Sequence, residues 1–434
     1  MVGKICEKGT NSYCLYTAIV GIIGMSEMII RLGKGEYIMV EIKDSIYWLG
    51  WKDWGIRHFH GHELSTHRGS SYNTYLIKDQ KTVLVDTVWD PYKEEFVKIL
   101  ENKVGLGNID MIVINHSEPD HAGSLGYLLE RLPSKDIPIY CTKNGADIIK
   151  NYFHRDDINF KIVKTGDTIN TGKYDLVFVE MQMIHWPDSM LTYVKGAGTV
   201  FSSDAFGQHY AGTSLFSDEV DNCELYQEAI KYYANILTPF SPLINKKIEQ
   251  IRALNLDIDM IAPSHGIIWR KDPVQIIDKY YEWSKDYTEG YAVIIYDTMY
   301  DATKKMAESI AAGLENQGVA YKLFNVALTD QSDLITEIFK SKGVIVGSCT
   351  VNNGVLRPTA GLLEEIKGHK FRGKLGAGFG SYGWSGESPK VISASLEKSG
   401  LRMPLEPLGI KYRPGKDNIE QCIQFGESFA AAMR

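Results

Sequence analysis

One heptapeptide, Asn115-His116-Ser117-Glu118-Pro119-Asp120-His121, constrains this chain more than any bulk property. It sets four metal-competent side chains within six residues, directly after the apolar run Met111–Ile114, which reads as a buried strand. The ligands therefore emerge where a strand ends and the chain turns. Extended backbone would put His116, Glu118 and Asp120 on one face and turn His121 to the other. One ion cannot easily take all four from so short a loop, but two adjacent ions can. The motif predicts a binuclear metal site.

Three later residues at strand ends complete a ligand set. His185 lies in Ile184-His-Trp-Pro-Asp-Ser-Met190, Asp204 closes Phe201-Ser-Ser-Asp204, and His265 closes Met260-Ile-Ala-Pro-Ser-His265. A first metal would take His116, Glu118 and His185, and a second Asp120, His121 and His265, with Asp204 as the bridge. Each ion then keeps open positions for water or substrate, as a catalytic site requires. Nitrogen and carboxylate ligands without thiolate suit iron, manganese or zinc, and the carboxylate-rich set favours the harder, redox-active metals. A lone histidine is more often structural; the clustering is what points to metal.

Around this motif, short β-type runs dominate from Ile42 to about Asp167, with helical stretches at Pro91–Val104 and Gly145–Tyr152. More strands follow at Leu176–Glu180, Met190–Val194 and Thr199–Ser202. Asn222–Leu237 and Pro242–Leu254 then read as amphipathic helices. Two packed sheets with helices outside, an αβ/βα sandwich, fit this order. After Asp272–Thr288, a helix and linker, the rhythm becomes strict β-α alternation. Ala292–Tyr296, Tyr321–Val326, Gly343–Gly347, Leu375–Gly380 and Leu408–Tyr412 alternate with five helices, the pattern of a flavodoxin-like, doubly wound parallel sheet. The expected organisation is α/β in two domains, 39–288 and 289–434, preceded by an extension, 1–38. In that extension Leu15–Ile30 is apolar but interrupted by Ser26 and Glu27, too short for a comfortable span and without a cleavage pattern. A start of the working protein near Met39 is the simpler reading.

A net charge of −7 without a basic block argues against nucleic acid as a partner. The six cysteines are scattered and none shows C-x-x-C spacing, which argues against a zinc knuckle, rubredoxin-type iron site or disulfide framework and fits a reducing cytoplasm. No membrane partner is expected.

Three loops at the carboxyl ends of the later strands suggest a second cofactor. Thr298-Met299-Tyr300-Asp301-Ala302-Thr303 joins a strand to a helix and can cradle a phosphate with backbone N–H groups and the Thr298 and Thr303 hydroxyls. A plain capped helix with Thr303 as N-cap would look similar. The loop holding Ser348, Thr350, Asn352, Asn353 and Gly354, and that holding Ser381, Tyr382, Gly383, Trp384 and Gly386, follow the third and fourth strands. Glycines and small polar residues let backbone approach a flat ring, which Trp384 or Tyr382 could cover. The three loops are similar to the FMN sites of flavodoxins.

H-x-x-x-D-H followed by later His, Asp and His resembles the metallo-β-lactamase fold. The form H-x-E-x-D-H, with H-W-P-D-S-M and D-A-F-G-Q-H after it, resembles the flavodiiron proteins from about Ile42 to the C-terminus. In zinc hydrolases of the fold the Glu118 position is usually histidine; the extra anionic ligand suits iron. The resemblance implies FMN and two iron ions, with oxygen reduced to water as the main activity and nitric oxide reduction to nitrous oxide as the alternative. It implies His60 beside the diiron pocket, although His58, His60 and His62 would share one face if extended. Tyr193 could offer a phenolic donor there, or be a core tyrosine. The donor implied is a separate protein such as rubredoxin, or reduced coenzyme F420. A head-to-tail homodimer or homotetramer would bring the flavin of one subunit to the metals of another. The competing readings are a zinc hydrolase with an attached flavin domain and a flavodoxin-like electron carrier.

Overall fold

The computed structural model describes residues 39–434; the readings made for residues 1–38 lie outside the described residues. Seven strands form the first sheet, in chain order: Val40–Lys43 (β1), Ile46–Trp48 (β2), Tyr75–Lys78 (β3), Thr82–Val85 (β4), Met111–Val113 (β5), Ile139–Cys141 (β6) and Phe160–Ile162 (β7). The second sheet follows: Thr168–Asn170 (β8), Asp175–Glu180 (β9), Met190–Lys195 (β10), Thr199–Ser203 (β11) and Met260–Pro263 (β12). Each begins as an antiparallel meander and becomes parallel, at β4–β5 in the first and at β11–β12 in the second.

Period-two alternation drives the layering. Tyr75, Ile77, Val83 and Val85 face Phe178, Met190, Phe201 and Ala262 across the sandwich. Their neighbours Leu76 and Leu84 point the other way, under helices Lys93–Lys103, Leu125–Arg131 and Lys143–Phe153. On the outer face of the second sheet, Val179, Leu191, Val200 and Ile261 pack on helices Asn222–Tyr232, Ser241–Ala253 and Val274–Trp283. The long helix expected over Asn222–Leu237 is shorter. It ends at Tyr232, and the chain then widens through Tyr233–Leu237 and tightens over Thr238–Phe240. Pro239 and Pro242 lack the N–H that an uninterrupted helix needs, and the Thr238 hydroxyl instead donates to the Ala234 carbonyl at 2.8 Å.

The third sheet is all parallel: Glu289–Tyr296 (β13), Ala320–Asn325 (β14), Ser341–Gly347 (β15), Leu375–Tyr382 (β16) and Leu408–Lys411 (β17), in spatial order β14-β13-β15-β16-β17. Five helices cover its two faces, as the sequence pattern predicts. One face, with Val293, Ile295, Val344 and Val346, belongs to the same apolar cluster as the outer helices of the sandwich. Polar contacts tie the same junction. Lys231 reaches Ser65 at 2.7 Å and pairs with Asp333; Asp330 accepts from the Ser65 hydroxyl at 2.7 Å. Buried Lys374 donates to the carbonyls of Tyr287, Phe339 and Ser341. No helix among the described residues is long and apolar enough to cross a membrane.

Candidate metal centre and flavin cavity

The ligand loop is not extended throughout. Pro119 starts a short helix, Pro119–Ala122, because its fixed φ suits a first helical position and it has no N–H to satisfy. That turn divides the motif: His116 and Glu118 precede it, and Asp120 and His121 lie within it. Expecting Asp120 on the same face as His116 was therefore wrong in geometry, and the division into two sets follows from the helix.

The seven groups converge as two sets. Ligand-capable atoms of His116, Glu118, His185 and Asp204 lie within 4.8 Å of one another, as do those of Asp120, His121 and His265. In the first set His116 Nε2 stands 3.1 Å from Glu118 Oε2 and 3.4 Å from Asp204 Oδ2, and His185 Nε2 stands 3.1 Å from Asp204 Oδ2. In the second, His265 Nε2 is 3.0 Å from Asp120 Oδ2, and His121 Nε2 is 3.3 Å from that oxygen. The other oxygen of Asp204, Oδ1, turns to this second set, 2.9 Å from His121 Nε2 and 3.5 Å from His265 Nε2. Asp204 thus faces one set with each oxygen.

These separations fit metal ions. Nitrogen and oxygen ligands bind such ions at about 2.0–2.2 Å, so neighbouring ligand atoms at 90–109° stand about 3.0–3.4 Å apart. Asp120 Oδ1, His121 Nε2 and Asp204 Oδ1 are buried without a hydrogen-bond partner, an arrangement that costs free energy unless a cation satisfies it. Electrostatics agree. Burial opposes a charge on His121 and His185, yet the facing carboxylates raise both to about 9. The same negative field draws a metal cation.

Outer contacts set the ring tautomers. His265 Nδ1–H donates to the Ser71 carbonyl at 2.6 Å, and His116 Nδ1 meets Asp188 Oδ2 at 3.2 Å. In each case Nε2 keeps its lone pair for the centre. Asp188 also accepts from Ser117 N at 2.6 Å. Beneath the loop, wholly buried Asp86 accepts from Asn115 N at 2.7 Å, and burial pushes its carboxyl up to about 6. His209 is buried beside His265, with rings 5.2 Å apart, and its Nδ1 meets Ser70 Oγ at 2.8 Å. Tyr232 packs on His209. Sequence reasoning assigned no role to Asp86, Asp188, His209 or Tyr232. Asp188 and His209 sit inside the quoted H-W-P-D-S-M and D-A-F-G-Q-H motifs, so a signal existed.

His60 and Tyr193 separate. His60 Nε2 lies 3.1 Å from Glu118 Oε1, beside the centre as expected. His58 and His62 do not share its face. The chain turns after Phe59, His60 takes a left-handed φ of 50°, and His58 and His62 meet each other 5.6 Å apart. Tyr193 is a core tyrosine, its hydroxyl donating to the Asp257 carbonyl at 2.9 Å. Asp257 lies ahead of β12, at the end of the sheet away from the ligand loops, so Tyr193 is corrected to a structural role.

A cavity of about 990 Å³ opens at the carboxyl ends of the third sheet. Of the residues named from sequence, Thr298, Met299, Tyr300, Ala302, Thr350, Asn352, Asn353, Ser381, Tyr382, Gly383 and Trp384 line it. Asp301, Thr303, Ser348, Gly354 and Gly386 do not; they shape the loops. Asp301, with φ 59°, occupies the N-cap position expected of Thr303, whose hydroxyl instead meets Ser381 Oγ at 2.9 Å. Ser348 Oγ accepts from Leu356 N at 3.1 Å. Gly354 closes a bridge with Val351, whose turn runs through Asn352 and Asn353 at φ 50° and 58°. Gly386, at φ 78°, lies where a Cβ would meet the Tyr382 ring at 3.0 Å. Cys349, Val351, Ser385, Tyr412 and Arg413 also line the cavity and were missed. The buried Thr298 hydroxyl has no partner, which suits a phosphate oxygen. Cavity size, strand-end position and flat aromatic walls fit FMN.

Comparison with known proteins agrees with both halves. Residues 71–266 match the ODP family beta lactamase model, and residues 294–426 the flavodoxin model. The chain is 48% identical over 394 residues to the anaerobic nitric oxide reductase flavorubredoxin of Escherichia coli O1:K1, covering 90% of this chain and 82% of that protein. The Salmonella paratyphi B flavorubredoxin is 49% identical over 392 residues, 90% of this chain and 81% of its own. The chain belongs to the flavodiiron protein family. Among solved flavodiiron structures, rubredoxin oxygen:oxidoreductase from Desulfovibrio gigas superposes with a TM-score of 0.88 at 36% identity, covering 91% of this chain and 98% of that one. The Giardia intestinalis flavodiiron protein gives 0.87 at 30%, covering 91% and 97%. This flavodiiron protein is an oxidoreductase with FMN and a diiron centre as its cofactors.

Third among the acidic clusters, His67, Asp330 and Asp333 also converge. There Lys231 already supplies the cation, so the group reads as a domain latch.

Proposed function

We propose that this flavodiiron protein reduces a diatomic gas at two irons held by His116, Glu118 and His185 on one side, Asp120, His121 and His265 on the other, and Asp204 between them. The two oxygens of Asp204, each turned to a different ligand set, are the observation that carries this reading. The iron pair would bind and reduce the gas, with electrons entering through FMN in the strand-end cavity. The protein's own part is positioning. Glu118 and Asp204 set the charge between the ligand sets, and Asp188 and Ser71 orient two histidines. His60, partly exposed and 3.1 Å from Glu118 Oε1, is placed to pass a proton.

Oxygen to water is the first reading for the gas. Nitric oxide to nitrous oxide is the second, favoured by relatives at 48–49% identity that are named for it. A rubredoxin-type protein fits as the electron donor, since relatives of both kinds carry that word in their names. We infer a head-to-tail dimer or a dimer of dimers. The rim of the flavin cavity supports it: Met299, Tyr300, Trp384 and Tyr412 are 54%, 88%, 89% and 65% exposed, an apolar ring that a second copy would cover. A cytoplasmic setting fits the free thiols of Cys141, Cys223, Cys349 and Cys422.

The deciding experiment follows oxygen and nitric oxide consumption by one iron- and FMN-loaded preparation with reduced rubredoxin as donor. Faster oxygen turnover marks an oxygen reductase, and faster nitric oxide turnover a nitric oxide reductase. Consumption of neither gas would sink the proposal and return the zinc-hydrolase and carrier readings.

A further inference from the structure

Sixteen residues line the flavin cavity, and of these Arg413 alone carries a charge. Its guanidinium makes no ion pair or hydrogen bond among the described residues, whereas Arg68, Arg155 and Arg270 are all paired. The chain holds it there deliberately. Tyr412 takes a left-handed φ of 62°, a conformation costly for a bulky residue, and its N–H donates to the Tyr382 carbonyl at 2.7 Å. The next residue, Arg413, lines the cavity together with Ser381, Tyr382 and Gly383.

Strand order says which part of the cofactor it meets. The phosphate cradle follows β13, and Arg413 follows β17, three strands away in the order β13-β15-β16-β17. At the usual strand spacing the two positions are about 14 Å apart, farther than an arginine side chain reaches. The unpaired Thr298 hydroxyl and the backbone of the first loop serve the phosphate, so the cation is left for the ring end.

We propose that Arg413 pairs with the N1–C2 carbonyl edge of the flavin and stabilises its reduced form, a role that rests on the FMN reading above. Oxidised FMN takes two electrons from an external reductant and one proton from solvent, and the product carries one added negative charge on that edge. No bond to the protein forms or breaks. The oxidised ring is neutral there, so the pairing acts almost wholly on the reduced state and sets the potential at which electrons enter.

The test is spectroelectrochemical titration of flavin absorbance in the FMN-loaded protein, comparing wild type, Arg413→Gln and Arg413→Lys. Arg413→Gln should weaken binding of reduced relative to oxidised FMN about tenfold, lowering the two-electron midpoint by about 30 mV. Arg413→Lys, which keeps the charge, should stay near wild type. An unmoved potential in Arg413→Gln overturns the proposal, as does equal weakening of both oxidation states, which would place the guanidinium on the phosphate. Should Arg413→Gln lose its flavin, a charge-removing Arg413→Met variant is titrated beside Arg413→Lys, and equal midpoints in the two overturn the role. Wild type without bound flavin would overturn the FMN reading itself, a result distinguishable from bound flavin with an unmoved potential.

Discussion

Asp188 never faces the gas, yet it decides how His116 presents itself. Both are buried, and the carboxylate fixes His116 Nδ1 while taking a second bond from Ser117 N. Asp188→Ala should weaken metal retention about 10–100-fold, read as iron content after dialysis against a graded chelator. Asp204 acts differently, because its oxygens serve both ligand sets. Asp204→Ala should lower bound iron from two ions per chain to one or none, by elemental analysis, and abolish gas reduction while leaving the flavin spectrum intact. Wild-type iron content in that variant would contradict a bridging role. At this scale the primary sequence carries much of the site. All seven ligand candidates are legible because a ligand must be His, Asp or Glu at a strand end. Tyr193 was not legible, because a hydroxyl's partner, here the Asp257 carbonyl, depends on which sheet end it faces. Arg413 was invisible for a related reason: it trails the weakest strand of the alternation.

Among the elements, helix Gln331–Lys340 links cap chemistry to domain contact. Asp330 accepts from Ser332 N at 3.0 Å and Asp333 N at 3.2 Å, and from the Ser65 hydroxyl across the junction. Burial works against its charge, but these donors and Lys231 hold its carboxyl below the usual value of 3.8. A depressed carboxylate contributes its stabilisation above the unfolded value and loses it as pH falls through the folded one. Asp330→Ala should therefore cost about 1–2 kcal/mol at neutral pH, with the gap to wild type closing below about pH 3.8. Chemical denaturation followed at both pH values checks this, and a pH-independent gap would refute it. Most strands and helices with clear periodicity were readable within two or three residues of their ends, whereas the helix begun at Asn222 stops at Tyr232, well short of its expected end. The short helix at Pro119 and the turn after Phe59 were not, since apolar pattern is silent about four-residue turns.

For the whole molecule, the path between flavin and metal can be tested by complementation. Asp204→Ala keeps the flavin cavity, and Thr298→Asp should repel the phosphate while keeping the metal ligands. Alone, each should be inactive. Co-assembled, they should recover part of the wild-type gas consumption if electrons cross between copies, because one hybrid site has both cofactors. No recovery, with mixed oligomers demonstrated by mass, would confine transfer to a single chain. Neither the two-sheet sandwich nor the parallel sheet hides from sequence, but the extent of their union does. Tyr233 and Phe339 meet at 5.5 Å, and Asn235 donates to Ser332 and Thr336 on the far side.

That union limits how the protein can work. Many two-domain enzymes bring their reactants together by bending at a joint. Here the joint is filled by Trp283, Phe339, Ile366 and Phe371 in one apolar mass, and opening it would wet them all at several kcal/mol. The molecule is a rigid bracket, holding its two cofactors at a fixed separation. Electron transfer between them therefore does not wait on a hinge within the chain; its speed is set by that fixed separation and by what lies across it.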